Sequence, residues 1–145
     1  MSLDFSGRCD ARAKNDGEMK RDGVQFLAGT DTAVMLMYPG FSLHDELQNL
    51  VHNAGFTPME VLRIATSNVA SFYKEERRYG AVAPGQEANL VLLDRNPLED
   101  IRNTTAIRGV MLKGKWFDRK ALDYLLDQAE ASARTDCPSL PRSSP

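Results

Sequence analysis

At Gly80 the apolar residues of this chain change their period, and that change limits what the chain can fold into. Upstream, Leu43, Leu47, Leu50, Val51 and Ala54 recur at i, i+4, i+7, i+8 and i+11, one face of a helix. Ser42 is placed to cap that helix with its hydroxyl, Asp45 complements the positive helix end, and Gly55 closes it. Thr57-Pro58-Met59-Glu60 is a second start signal, with Thr57 as N-cap, Pro58 at the first helical position and Glu60 completing a capping box. Val61, Leu62, Ala65, Val69 and Phe72 then predict one helix to about Lys74, with the charged run Glu75 to Arg78 as its solvated end. Downstream of Gly80 the apolar residues gather in short runs: 88–93, 106–112 and, across a tight turn at Lys113-Gly114, 115–117. These predict a small antiparallel unit, in which Trp116 and Phe117 are core residues. Asp118 can cap a last helix with the stripe Ala121, Leu122, Leu125, Leu126 and Ala129.

The beginning of the chain is less patterned. A helix over 10–21 is predicted with an interruption at Gly17, and Gly23 ends it. Val24-Gln25-Phe26-Leu27-Ala28 is a short apolar run of the kind that forms a strand buried on both faces. It stops at Gly29-Thr30-Asp31, and 32–41, with its Tyr38-Pro39-Gly40 turn signal, reads as a loop. From Thr135 onward Ser, Pro and Arg dominate, which predicts a frayed tail.

Bulk properties remove several function classes. Eighteen basic against 20 acidic side chains give a formal charge of -2, with no basic block to serve as a nucleic-acid footprint. No apolar run approaches the roughly 18 residues of a membrane span, and no apolar signal core opens the chain, so a cytoplasmic protein without membrane partners is expected. Cys9 and Cys137 lie far apart without CxxC spacing and are expected to be free thiols. Gly109 to Gly114 lacks the spacing of a phosphate loop, so its glycines are assigned to strand and turn.

Three stretches, in this order, resemble the C-terminal third of the amidohydrolase superfamily, nearest its imidazolonepropionase-like and prolidase-like branch. Val24 to Thr32, through Gly29-Thr30-Asp31, is similar to the eighth barrel strand of that family. Ser42-Leu43-His44-Asp45-Glu46-Leu47, Ala54 to Glu60 and Ala65 to Ala70 are similar to the paired helices that follow it. Tyr79 to Asp94, with Pro84-Gly85-Gln86-Glu87-Ala88-Asn89-Leu90, is similar to the return into the family's small β-sandwich. The resemblance implies an α/β chain: the C-terminal fragment of a TIM-like (β/α)8 metal-dependent hydrolase barrel plus part of a small antiparallel β-sandwich. At 145 residues the chain is too short for a whole barrel, which needs roughly 250. The implied division is 1–79 for the last strand and helices of the barrel, 80–134 for the sandwich strands and C-terminal helix, and 135–145 for a disordered tail.

The resemblance also implies a chemistry. The family's aspartate matching Asp31 binds a divalent metal, typically zinc, and takes a proton from the water that attacks a C–N bond in a small amide, cyclic amide or dipeptide. A carboxylate at the C-terminal end of a barrel strand suits that task. Taken alone, Asp31 reads more readily as the cap of the turn after Gly29 than as a metal-site residue. The family's remaining ligands, a His-x-His pair, a carboxylated lysine or glutamate and two single histidines, come from earlier strands. His44 and His52, eight apart on one predicted helix, cannot form such a pair. His52 reads as a surface residue; His44 reads as a cap or surface residue, or as a contact to substrate near the barrel mouth. Zinc is therefore expected in a full-length parent and not tightly bound to this chain alone. Two readings follow: part of a longer hydrolase, inactive by itself, or a short protein that keeps the scaffold end as a binding or assembly module. Either way, the open edge at Val24 to Ala28 and the leucine stripe of 43–54 predict a homo-oligomer.

Overall fold

The computed structural model describes residues 15–30 and 40–136, with side chains to 133. Residues 15–21 are helical (α1) and pass through Gly17 without interruption. Four further helices follow among the described residues: α2 (Phe41–His52), α3 (Pro58–Ile64), α4 (Ser67–Phe72) and, after the sheet, α5 (Arg119–Asp136). The strands are β1 (Leu90–Leu93), β2 (Ile107–Leu112) and β3 (Lys115–Asp118), and a 3₁₀ turn, Ile101–Thr105, lies between β1 and β2.

The two helix starts behave differently. Thr57 caps α3 as expected: its hydroxyl accepts from the Glu60 N–H at 3.3 Å while the Glu60 carboxylate accepts from the Thr57 N–H at 2.7 Å. At α2 the expected Ser42 cap is not formed, since Gly40, at φ 85°, turns the chain two residues earlier and takes the N-cap position. The single helix predicted to Lys74 is broken at 65–66. Thr66 leaves the helical region and its hydroxyl donates to the Leu62 carbonyl at 2.6 Å, the kind of side-chain bond with which Thr, Ser and Asn compete against a helix.

The predicted strand at 24–28 has no ladder. Among the described residues no strand lies beside it, so residues 24–30 have no regular secondary structure and are held from one side only. Phe26 and Ala28 face the helices: the Phe26 ring meets Phe56 edge to face at 4.9 Å, and the Ala28 N–H donates to the Ile64 carbonyl at 3.4 Å. Leu27, on the other side, is exposed. The expectation of burial on both faces therefore fails on one face. The core consists of Leu47, Leu50, Ala54, Phe56, Val61, Ile64 and Ile101, with Val61 wholly buried. Leu47, Leu50 and Ala54 of the α2 stripe are thus covered, α2 packing on α3 and on the 3₁₀ turn, while Leu43 stays exposed.

The β unit is as expected in kind: three strands in the order β1-β2-β3, all antiparallel, with Leu90 opposite Met111 and Val110 opposite Phe117. Lys113 and Gly114, both at positive φ, close the two-residue β2–β3 turn in the sense that matches strand twist. Trp116 departs from the core role predicted for it: it is 45% exposed, because no second sheet faces this one among the described residues. Its indole lies instead over Gly109 of the neighbouring strand, in the space a Cβ would occupy there. Gly80, at φ 102°, brings the returning chain so close to α4 that a Cβ would stand 2.6 Å from that of Ala70. Ile101, 2% exposed, carries the β1–β2 connection into the helical core.

Candidate functional site

Three sequence features were expected near the site: the end of the 24–30 segment, Asp31 and the first turn of α2. The structure places the first and the last of these. Residues 24–30 run along α3, with the Asn68 amide donating to the Phe26 carbonyl at 3.4 Å. Asp31, expected to be both metal ligand and base, lies outside the described residues, as do Cys9 and Cys137.

His44 is in the first turn of α2 and half-buried. Its Nδ1 is 3.0 Å from the Thr104 hydroxyl, which in turn donates to the Ile101 carbonyl at 2.8 Å. A hydroxyl has one proton to give, so Thr104 must accept from the His44 Nδ1–H. Neutral His44 is thereby fixed as the Nδ1–H tautomer, with its lone pair on Nε2. Thr104 is buried, so the bond also satisfies a polar group that would otherwise be costly there. His44 therefore ties α2 to the 3₁₀ turn, and the side of the ring that carries Nε2 is the side left for any substrate contact. His52 is exposed as expected, with Nδ1 2.8 Å from the Gln48 carbonyl.

A cluster that the sequence reading missed stands at the start of α3. The Lys20 ammonium donates to the Glu60 carboxylate at 3.0 Å and to the Gly55 carbonyl at 2.9 Å, and lies 4.6 Å from the centre of the Phe56 ring. Glu60 Oε2 accepts from the Thr57 N–H, the Thr57 hydroxyl and Lys20 together. These donors lower the Glu60 pKa from 4.5 to about 2; the backbone N–H of Thr57 is the largest cause, Lys20 the next and the Thr57 hydroxyl the third. A carboxylate so stabilised is a poor proton acceptor near neutrality, so Glu60 is a structural charge and not a candidate base. With Phe26, Phe56, Arg63 and Asn68 it lines an open cleft of about 280 Å³. The Glu60 half of the cluster was visible in the capping box; Lys20 was not, because nothing in a sequence pairs positions forty residues apart.

The return from α4 to the sheet is fastened by charge. Arg78 pairs with Glu87 at 2.6 Å, and each sets the direction of the other's shift: the guanidinium lowers the Glu87 pKa and the carboxylate raises that of Arg78. Among the described residues no three His, Cys, Asp or Glu side chains stand close enough to hold a metal ion. These residues do not by themselves fit a divalent cation, which takes three or four protein ligands in a catalytic or structural zinc site. No helix among the described residues is long and apolar enough to cross a membrane.

The sequence model described as "Amidohydrolase family" matches residues 12–117. The ochratoxinase of Aspergillus niger is 37% identical over 99 residues, which cover 66% of this chain and 20% of that protein. Its crystal structure superposes with a TM-score of 0.64, over 75% of this chain and 25% of that one. An adenine deaminase of Oleidesulfovibrio alaskensis is 31% identical over 118 residues, 81% of this chain and 19% of that protein. A Xaa-Pro dipeptidase superposes with a TM-score of 0.66 at 24% identity, over 73% of this chain and 25% of that one, a likeness of fold. The chain thus spans about a fifth of the length of the curated relatives it matches.

Proposed function

Because this chain belongs to the amidohydrolase family, we propose that it supplies the C-terminal part of a metal-dependent hydrolase that cleaves a C–N bond in a small amide, cyclic amide or dipeptide. The observation that carries the reading is the 24–30 segment. It packs through Phe26 and Ala28 against the helical core and carries the Gly29-Thr30 that, with Asp31, resembles the motif at the mouth of the family's barrel. A rigid pair of helices under the segment is what a carboxylate at its end requires to be aimed. In this reading Asp31 is the chain's contribution to the metal centre and to proton transfer, and His44, its tautomer fixed by Thr104, lies near enough in sequence to present Nε2 to a substrate. Relatives named ochratoxinase and adenine deaminase support the C–N bond class and not one substrate.

Alone, the chain is proposed to be inactive, since the described residues bring no three ligands together. After dialysis it should retain no stoichiometric zinc and should turn over no amide substrate. One tightly bound zinc per chain, measured by elemental analysis, would overturn this. The flanking DNA decides whether the chain works within a longer hydrolase: an upstream frame encoding His-x-His supports it, and in that longer protein Asp31→Asn should lower kcat by roughly 10²- to 10⁴-fold. The second reading, a non-catalytic binding or assembly module, draws on the buried helical cluster that the described residues form, and requires a native start with no such frame upstream.

A further inference from the structure

The last helix carries an apolar face that the rest of the described chain does not cover. α5 touches β2 and β3 near its start, through Ala121 and Leu122, which are half-buried. From Asp123 to Ala133 every residue is exposed, with Leu125 at 51% and Leu126 at 50%. Yet Leu122, Leu125, Leu126, Ala129 and Ala133 follow the helical period and share one side. A helix of 18 residues, about 27 Å long, that keeps a leucine stripe while standing clear of its own sheet is built to lie against something else.

The charges say what. The first turn is basic, Arg119 and Lys120, and the following turns are acidic, Asp123, Asp127 and Glu130, before Arg134 near the end. Arg119 already pairs with Asp123 of its own helix at 2.8 Å and donates to the Ile107 carbonyl, which leaves the remaining N–H groups of its guanidinium to meet a second carboxylate. A parallel copy of the same helix would set like charge on like. An antiparallel copy sets the basic turn of each helix beside the acidic turns of the other. The register agrees with the stripe. Arg119 and Glu130 border the apolar side on the same flank, and a two-fold axis between Tyr124 and Leu125 brings each beside the other's counterpart. The same axis puts Leu125 against Leu125, and Leu122 between Leu126 and Ala129. A single isologous contact of this kind closes on itself and needs no other partner.

We propose that α5 is a homodimerisation helix, pairing antiparallel with α5 of a second copy of this chain about an axis at Leu125. This places association on a different surface from the outward face of residues 24–28, where Leu27 is exposed. It does not depend on the hydrolase reading, since a catalytic chain and an assembly module would present the same helix.

The test uses the full chain at tens of micromolar, with mass read by sedimentation equilibrium and folding by circular dichroism. The wild-type chain should be a dimer. Arg119→Glu and Glu130→Arg should each lower the dimer fraction at least tenfold at equal concentration, and the double variant should recover it, because the swapped charges again meet across the axis. Recovery separates a lost contact from a damaged helix. Position is read independently in a background with Cys9 and Cys137 changed to Ser: Leu125→Cys should cross-link under mild oxidation, and Asp127→Cys, on the far side of the helix, should not. A monomeric wild-type chain overturns the proposal. So does a dimer that ignores both charge changes, or one that is lost in Leu27→Lys and unaffected in the α5 variants.

Discussion

Three donors converge on one oxygen of Glu60, and this oxygen is where a single residue matters most to the fold. With a folded-state pKa of about 2 against 4.5, ionised Glu60 favours the folded chain. The sign follows from the direction: the folded value lies below the unfolded one, so the contribution is fully present above about pH 4.5 and is lost as pH falls through about 2. Solvent screening limits its size, because the Glu60 side chain is substantially exposed. The expected outcome is that Glu60→Gln removes part of the acid dependence of the denaturation midpoint between those two values. Thr57→Ala, which deletes the cap itself, should cost on the order of 1 kcal/mol in the same measurement. An unchanged midpoint in both variants would mean that α3 does not depend on this box.

At the scale of elements, what could be read from the sequence follows from how local the signal is. The Thr57 to Glu60 box, the Asp118 cap, whose carboxylate accepts from the Ala121 N–H at 2.8 Å, and the Lys113-Gly114 turn are each written within four residues, and each formed. The Ser42 cap failed because Gly40, two residues before it, could adopt a conformation open to few other residues. The break at Thr66 was hidden because Val69 and Phe72 continue the apolar period across it, and a period does not reveal a side-chain hydroxyl bonding its own backbone. In the candidate site, the Thr104 partner of His44 lies sixty residues away and carries no local signal, and Asp31 lies outside the described residues. The Gly109 and Trp116 contact is likewise invisible in sequence, and it makes a prediction at this scale. Gly109→Ala places a methyl group where the indole lies and against the Phe117 carbonyl, and something must move. The cost should be about 1–3 kcal/mol, typical of overpacking, read as a lower denaturation midpoint with helix content kept. A Gly109→Ala chain as stable as wild type would mean that the indole is free to leave.

The described residues form a helical layer and a three-stranded sheet, linked through the 73–89 return and through the 3₁₀ turn between β1 and β2, whose Ile101 is buried among the helices. The chain's only tryptophan sits on the sheet and not in that layer. It is therefore a built-in optical label. Excitation of the indole reports the sheet alone, while far-ultraviolet dichroism is dominated by the helices. Since Ile101, in the connection between β1 and β2, is buried in the helical core, the two signals should fall together on denaturation, at a single shared midpoint. Separate midpoints would mean that the fastening is weak. Light thus offers a means of following how the halves of this chain communicate, with no dye attached and no residue changed.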